Sequence, residues 1–159
     1  MSGVFDKLIH SPTVVAIVMA AGLTGCATGP PKRFRVDNSH FTPCARAPHC
    51  VSSQAAPDDS HYVMPLAYRG SAGRARQALL AVLASQDNAR IVSAESRFIH
   101  ATFTTTLGFV DDVTFIVQPT ESIIDVKSSS RIGYYDFGVN RDRVARTRRA
   151  FERRVGAVT

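Results

Sequence analysis

The stretch "VDDVTFIVQPTESIIDVKSSS", Val110 to Ser130, holds two alternating runs either side of a short polar turn. Val113, Phe115 and Val117 alternate with Thr114 and Gln118, and Ile124 and Val126 alternate with Asp125 and Lys127. A period of two is the mark of a β-strand with one face on a core. Two strands are therefore expected, Val110 to Gln118 and Ile123 to Ser129, each with one dry face and one wet face. A symmetric hairpin through "PTES", Pro119 to Ser122, sets Val117 opposite Ile124, Phe115 opposite Val126, Val113 opposite Ser128 and Asp111 opposite Ser130. All of these side chains then point to the covered face, and the terminal serines meet the Asp111-Asp112 pair across the hairpin.

Upstream, Arg90 to Ala94 and Phe98 to Thr105 read as two more strands, and the short turns favour consecutive antiparallel pairing. Before them, Ser71 is the expected N-cap of a helix reaching Asp87. At 100° per residue Ala75, Leu79, Val82 and Leu83 gather on one arc of that helix, which packs on the sheet. "HYVMPLAYRG" suggests a short strand near Tyr62 to Tyr68, while residues 41 to 60 are loop-like, broken by Pro43, Pro48 and Pro57. Downstream, a last helix is expected with Asn140 as N-cap and Asp142 in its first turn. Val144, Phe151 and Val155 form its apolar side. Arg143, Arg146, Arg149, Arg153 and Arg154 form a solvent-facing cationic stripe, and Arg141 and Arg148 project inward and call for acidic partners such as Asp111, Asp112 or Asp136. The fold expected is α+β, an antiparallel sheet of about four to five strands packed by two helices in a single small domain.

The charge is uneven. Residues 1 to 138 carry twelve basic and eleven acidic groups, whereas Arg141 to Arg154 holds seven arginines against Asp142 and Glu152. Location decides what such a patch faces. Lys7 precedes an uncharged run whose apolar part, Val14 to Leu23, suits a signal-peptide core and is short of the roughly 20 residues a spanning helix needs. "LTGC", Leu23 to Cys26, has the pattern of a bacterial lipobox, with slim Gly25 before the thiol that takes the lipid. The expected division is a lipoprotein signal peptide over 1–25, a lipidated N-terminus and flexible tether over 26–40, and a domain over 41–159. Ala27 after the cysteine points to the outer membrane, with the domain facing the periplasm. Nucleic acid is then excluded as a partner by location, despite the basic charge.

Setting Cys26 aside leaves Cys44 and Cys50, an even pair in an oxidising compartment and so an expected disulfide. The alternative is a metal site with His49 and His40 or His61, against which Cys-x5-Cys is not a zinc-knuckle spacing. No metal or cofactor is expected, and none of the five histidines is given a function.

"PCARAPHCVSSQ" (Pro43 to Gln54), "FVDDVTF" (Phe109 to Phe115) and "KSSSRIGYYDFGVNRDRV" (Lys127 to Val144) together resemble the signature blocks of the bacterial and plastid family catalogued as domain of unknown function 1499. His49, Lys127 and Ser129 depart from residues frequent in that family. The resemblance implies a small α+β domain with an acid- and arginine-rich site and carries no assigned reaction.

The candidate binding site is Asp111, Asp112, Ser128, Ser130, Arg131, Tyr135, Asp136, Asn140 and Arg141. The sequence lacks Ser-x-x-Lys, Gly-x-Ser-x-Gly, a phosphate loop and His-Glu-x-x-His, so a hydroxyl nucleophile has no evident activator. The expectation is a non-catalytic binding or scaffolding domain of an envelope lipoprotein, joined to the membrane through Cys26. The arginine helix is available to an anionic envelope component or an acidic protein. The alternative is a periplasm-facing hydrolase built on Asp111, Asp112, Ser128 and Arg131. The aromatics Tyr134, Tyr135 and Phe137 are expected as core and rim packing.

Overall fold

The computed structural model describes Val36–Asp37 and residues 39–156. The expected signal peptide, Cys26 and most of the tether lie outside the described residues. The elements run β1 (Val36–Asp37), β2 (His40–Phe41), β3 (Cys50–Ser52), β4 (Leu66–Ala67), α1 (Ala72–Ala84), β5 (Ala89–Ala94), β6 (Phe98–Thr104), β7 (Val110–Gln118), β8 (Ile123–Ser130) and α2 (Val139–Val155). The main sheet has six strands and every pairing in it is antiparallel, in the order β3-β8-β7-β6-β5, with β4 also on β8. It is an α+β fold with two helices.

The hairpin register is the one expected: Val117 pairs with Ile124, Phe115 with Val126, Val113 with Ser128 and Asp111 with Ser130. Their face carries the core. Phe103, Val113, Phe115, Ile124 and Val126 meet Leu79 and Leu83 of α1 and Val144 and Phe151 of α2. Burying a side chain of this size contributes about 1.5–3 kcal/mol, which makes the two helices and this sheet face the main source of stability. Ser71 caps α1 as expected, accepting from the Arg74 backbone N–H, and the four buried residues of the helix are Ala75, Leu79, Val82 and Leu83. The helix stops at Ala84, three residues before Asp87, because Ser85 and Gln86 turn the chain back onto the carbonyls of Ala81 and Leu83.

The other sheet face departs from expectation. Instead of being wet, Asp112, Thr114, Ile116, Asp125, Lys127 and Ser129 are buried. The segment from Ser39 to Gln54, which also contributes β3 to the sheet edge, bonds to the polar groups of this face. Gln54 Nε2 donates to Asp125 Oδ2 at 2.7 Å and to the Ser39 carbonyl at 3.0 Å, Ser53 Oγ donates to Asp125 Oδ1 at 2.7 Å, and Lys127 Nζ donates to the Thr42 carbonyl at 2.6 Å. Polar alternation thus marks a hydrogen-bonded layer here, with Thr114 Oγ1 the exception, since burial of such groups is tolerated when they are paired. The same segment hides β3, which three residues were too few to announce by alternation. The Cys44–Cys50 disulfide closes the loop before it. Of the strand expected near Tyr62 to Tyr68, only Leu66–Ala67 forms, because Pro65 has no N–H to give a ladder.

The last helix begins earlier than expected. Gly138 is its N-cap in the left-handed region (φ 81°), and Asn140 lies inside the first turn with its side chain buried. Buried Asn140 and Thr147 share an arc with Val144 and Phe151, so the inward face is centred roughly 40° from Val144 toward Arg143. That rotation buries Arg143, which was expected on the solvent stripe, and leaves Arg141 exposed and Arg148 half-buried beside Glu152.

Candidate functional site

Two loops meet at one end of the sheet, the β6–β7 turn (Thr105–Phe109) and the β8–α2 connection (Arg131–Gly138). Beneath them the ends of β7 and β8 bring Asp111 and Asp112 beside Ser128, Ser129 and Ser130. A strand's side chains alternate, so Asp111, Ser128 and Ser130 face the helices while Asp112 and Ser129 face the other way. The single pocket expected for all of these residues is therefore two half-sites, one on each face.

On the helix face, Arg143 forms a buried ion pair with Asp111 Oδ2. Its other terminal nitrogen, Nη1, donates to Asn140 Oδ1 at 2.7 Å and Ser128 Oγ at 3.2 Å, and its guanidinium carbon lies 5.0 Å from the centre of the Phe103 ring. Burial lowers the Arg143 guanidinium from its ordinary value, and the Asp111 carboxylate pulls the other way. An arginine remains a cation in either case. Ser128 Oγ donates to Asn140 Oδ1 at 2.5 Å, and Asn140 Nδ2 reaches Ser130 Oγ, the His49 carbonyl and Asp136 Oδ2 at 2.8–3.0 Å. Asp136 accepts in turn from the backbone N–H groups of Gly138 and Asn140, both at 3.0 Å, and so does the work of an N-cap from two residues upstream. Burial alone would raise its carboxyl, but these bonds hold it below its ordinary value.

On the opposite face, Asp112 is fully buried and accepts from Arg131 through two nitrogens, Nε at 2.7 Å and Nη2 at 2.9 Å. His100 Nε2 is 2.7 Å from Asp112 Oδ1. An ionised carboxylate can only accept, so that nitrogen carries the hydrogen. Burial would raise the Asp112 carboxyl, and the bonds from Arg131 and His100 outweigh it and lower the value. His100 is a site residue that sequence reading missed. Its only sequence signal is a register position, since β6 sets it beside Thr114, two residues from Asp112 on the same face.

Arg141 does not join this cluster. Its guanidinium donates to the Tyr62 carbonyl at 2.7 Å and also to the Ser60 carbonyl, tying α2 to the loop before β4. Tyr135 stands on the rim, 60% exposed, edge-on to Phe137 with ring centres 5.1 Å apart. Tyr134 and Phe137, expected in packing, are 72% and 86% exposed. The Cys44–Cys50 disulfide leaves neither thiolate for a metal, and His49 Nδ1 lies instead 3.2 Å from the Tyr134 carbonyl.

Above the helix-face network lies a cleft of about 570 Å³, walled by Leu107, Phe109, Ile132, Tyr135, Phe137 and Val139, with Asp111, Ser130 and Asp136 at its base. The volume is within the roughly 300–1,000 Å³ of small-ligand sites, and so is the plan, apolar walls over a few convergent polar groups.

Residues 40–151 match the family described as "Protein of unknown function (DUF1499)". The chain belongs to this family. It matches no curated protein and no solved structure. The DUF1499 match spans the main sheet and α2 as far as Phe151, so the family region contains both half-sites and the cleft.

Proposed function

We propose that this DUF1499 chain is a non-catalytic binding domain of the bacterial cell envelope, tethered through a lipid on Cys26 and presenting its cleft to a small ligand on the periplasmic side. The observation that carries the reading is the cleft between the two loops. Seven of the nine large apolar side chains exposed among the described residues lie on these loops or at Val139, so the exposure is gathered in one place. A gathered apolar surface of this kind marks an interaction site, whereas scattered exposure does not. The lipobox and the Cys44–Cys50 disulfide both favour an oxidising envelope compartment.

The hydrolase alternative has less support. Ser128 is fully buried, gives its proton to Asn140 and accepts from Arg143, so it has neither a base nor a path to substrate. Asp111 and Asp112 face opposite sides and cannot share one reacting group. The exposed stripe of Arg146, Arg149, Arg153 and Arg154 offers a second attachment, to an anionic envelope component or an acidic protein.

Thermal shift of the full chain against apolar-bodied envelope metabolites, at low and high salt, separates these readings. Cleft binding predicts stabilisation that persists at high salt and disappears in Ile132→Asp, which places a charge in the wall at an exposed position. Stabilisation that disappears with salt and ignores Ile132→Asp would transfer the function to the arginine stripe.

A further inference from the structure

We propose that the cleft selects amphiphiles with an uncharged hydroxyl head, such as a fatty alcohol, a prenol or a monoacylglycerol, seated by Asp111 and Ser130. This rests on the cleft being a ligand site and adds what it would take.

The polar groups at the base differ in how far they are already engaged. Both Asp136 oxygens are occupied by the start of α2. Asp111 Oδ2 accepts from Arg143, while its Oδ1 is buried with no hydrogen-bond partner. Leaving a buried carboxylate oxygen unmatched costs on the order of 1–3 kcal/mol, and Asp111 borders the cleft, so a donor that reaches this oxygen from the cleft recovers that cost. Ser130 is the cross-strand partner of Asp111 on the same face. Its Oγ accepts from Asn140 Nδ2 at 3.0 Å and keeps its own proton to give.

One acceptor beside one donor matches a hydroxyl, which gives a hydrogen bond and takes one. The charges around the base argue against an anionic head. The titratable groups bordering the cleft are Asp111, Tyr135 and Asp136, and no lysine, arginine or histidine lines it. Arg143 lies behind Asp111 and is committed to Asp111, Asn140 and Ser128. Arg131 serves Asp112 on the opposite face. A carboxylate or phosphate head would meet two aspartates with no cation at hand, and an ammonium would leave the Ser130 proton without an acceptor. The apolar walls take the hydrocarbon body.

The test uses the full chain in nanodiscs of uncharged lipid with a photoreactive decanol that carries a diazirine near its tail. Labelled residues are mapped by mass spectrometry, and unlabelled decanol, decanoate, decylammonium and decane compete. Saturable labelling of both loops is expected, with decanol competing about tenfold better than the other three, the value of one well-formed hydrogen bond. Ser130→Ala should narrow the advantage of decanol over decane without moving the labelled positions, the bond to Asp111 Oδ1 remaining. Because Asp111→Asn removes the charge that pairs with Arg143 and is liable to unfold the domain, Ser130→Ala is the deciding variant. If decanol and decanoate compete equally in the native chain, the cleft binds but the head selection is wrong. If neither loop is labelled, the cleft is not a ligand site and the reading beneath this one fails as well. Labelling that rises without saturation and resists decanol means the loops dip into the bilayer, which also overturns the proposal.

Discussion

Asp111 and Asp112 are consecutive in β7 and project from opposite faces of the sheet, each ion-paired to an arginine from a different element: Asp111 to Arg143 of α2, Asp112 to Arg131 just after β8. The pairing pins both ends of the β8–α2 connection, since Arg131 opens that connection and Arg143 sits one turn into the helix that follows it. The loop carrying Ile132, Tyr135 and Phe137 is thereby held at the cleft by two ion pairs whose carboxylates are both buried.

Removing Arg143 should therefore be costly. Arg143→Ala leaves Asp111 as a buried charge without its counterion, an effect of about 3–5 kcal/mol. Arg149→Ala, on the exposed side of the same helix, should stay within about 0.5 kcal/mol of the native chain. Replacing both partners by apolar residues, Asp111→Leu with Arg143→Met, should recover most of the loss, because a well-packed apolar pair replaces a buried ion pair at little or no cost. Urea midpoints for the four proteins decide it. Equal midpoints for Arg143→Ala and Arg149→Ala would mean that the buried pair adds nothing.

Acid should act through Asp112. Burial raises its carboxyl, but the bonds from Arg131 and His100 lower it further, so the folded value lies below the unfolded one. A group shifted in that direction contributes stability that is complete above the unfolded value, near 3.9, and is lost as pH falls through the folded one. Asp112→Asn should be less stable than the native chain at about pH 7, with the gap narrowing below about pH 4. Chemical unfolding at both pH values measures the gap. A gap that does not change with pH would remove Asp112 from the acid response.

The parts of this architecture that were legible in the sequence are those where one physical rule acts alone. Alternation fixed β7 and β8, and the turn length between them fixed a register in which Asp111 opposes Ser130. Helical periodicity found the buried face of α1, because all four of its core residues are apolar. The same rule misplaced Arg143, since two of the residues defining the inward arc of α2, Asn140 and Thr147, are polar and were not counted as core. The covered second face was illegible for a related reason. Asp125, Lys127 and Asp112 look solvated in a pattern of two, and only the long-range bonds from Ser39 to Gln54 and from Arg131 reveal that they are not. Asp111 and Asp112 were read as one site because adjacency in the chain was taken for adjacency in space, which a strand denies. The cleft has no local signature at all, being the meeting of two loops more than twenty residues apart.

Asp136 should behave as the cap of α2. It is the only acid whose carboxylate meets the backbone N–H groups at the start of this helix among the described residues, accepting from Gly138 and Asn140. Loss of a capping side chain costs about 1 kcal/mol. Asp136→Ala should reduce global stability by about that amount and raise amide exchange chiefly at residues 138 to 142, leaving exchange in β7 and β8 close to native. Asp136→Asn keeps an acceptor and should restore part of the protection. Uniform exchange gains across the sheet would assign Asp136 to the core network instead of the helix start.

Phe137 should trade stability for binding. It holds a left-handed backbone conformation (φ 53°) as a non-glycine residue, while its ring is 86% exposed. Such a conformation costs a bulky side chain roughly 1–2 kcal/mol, and asparagine tolerates it better. The exposed ring returns little of that through burial, and its edge contact with Tyr135 is exposed on both sides. A strained residue kept at a rim is expected where the side chain serves the site, so Phe137→Asn should match or exceed native stability by up to about 1 kcal/mol while weakening retention of an apolar-bodied ligand in the cleft. Thermal midpoints and the decanol competition, run on the same two proteins, separate the effects. A variant that is both less stable and equally good at binding would show that the ring supports the fold and does not serve the cleft.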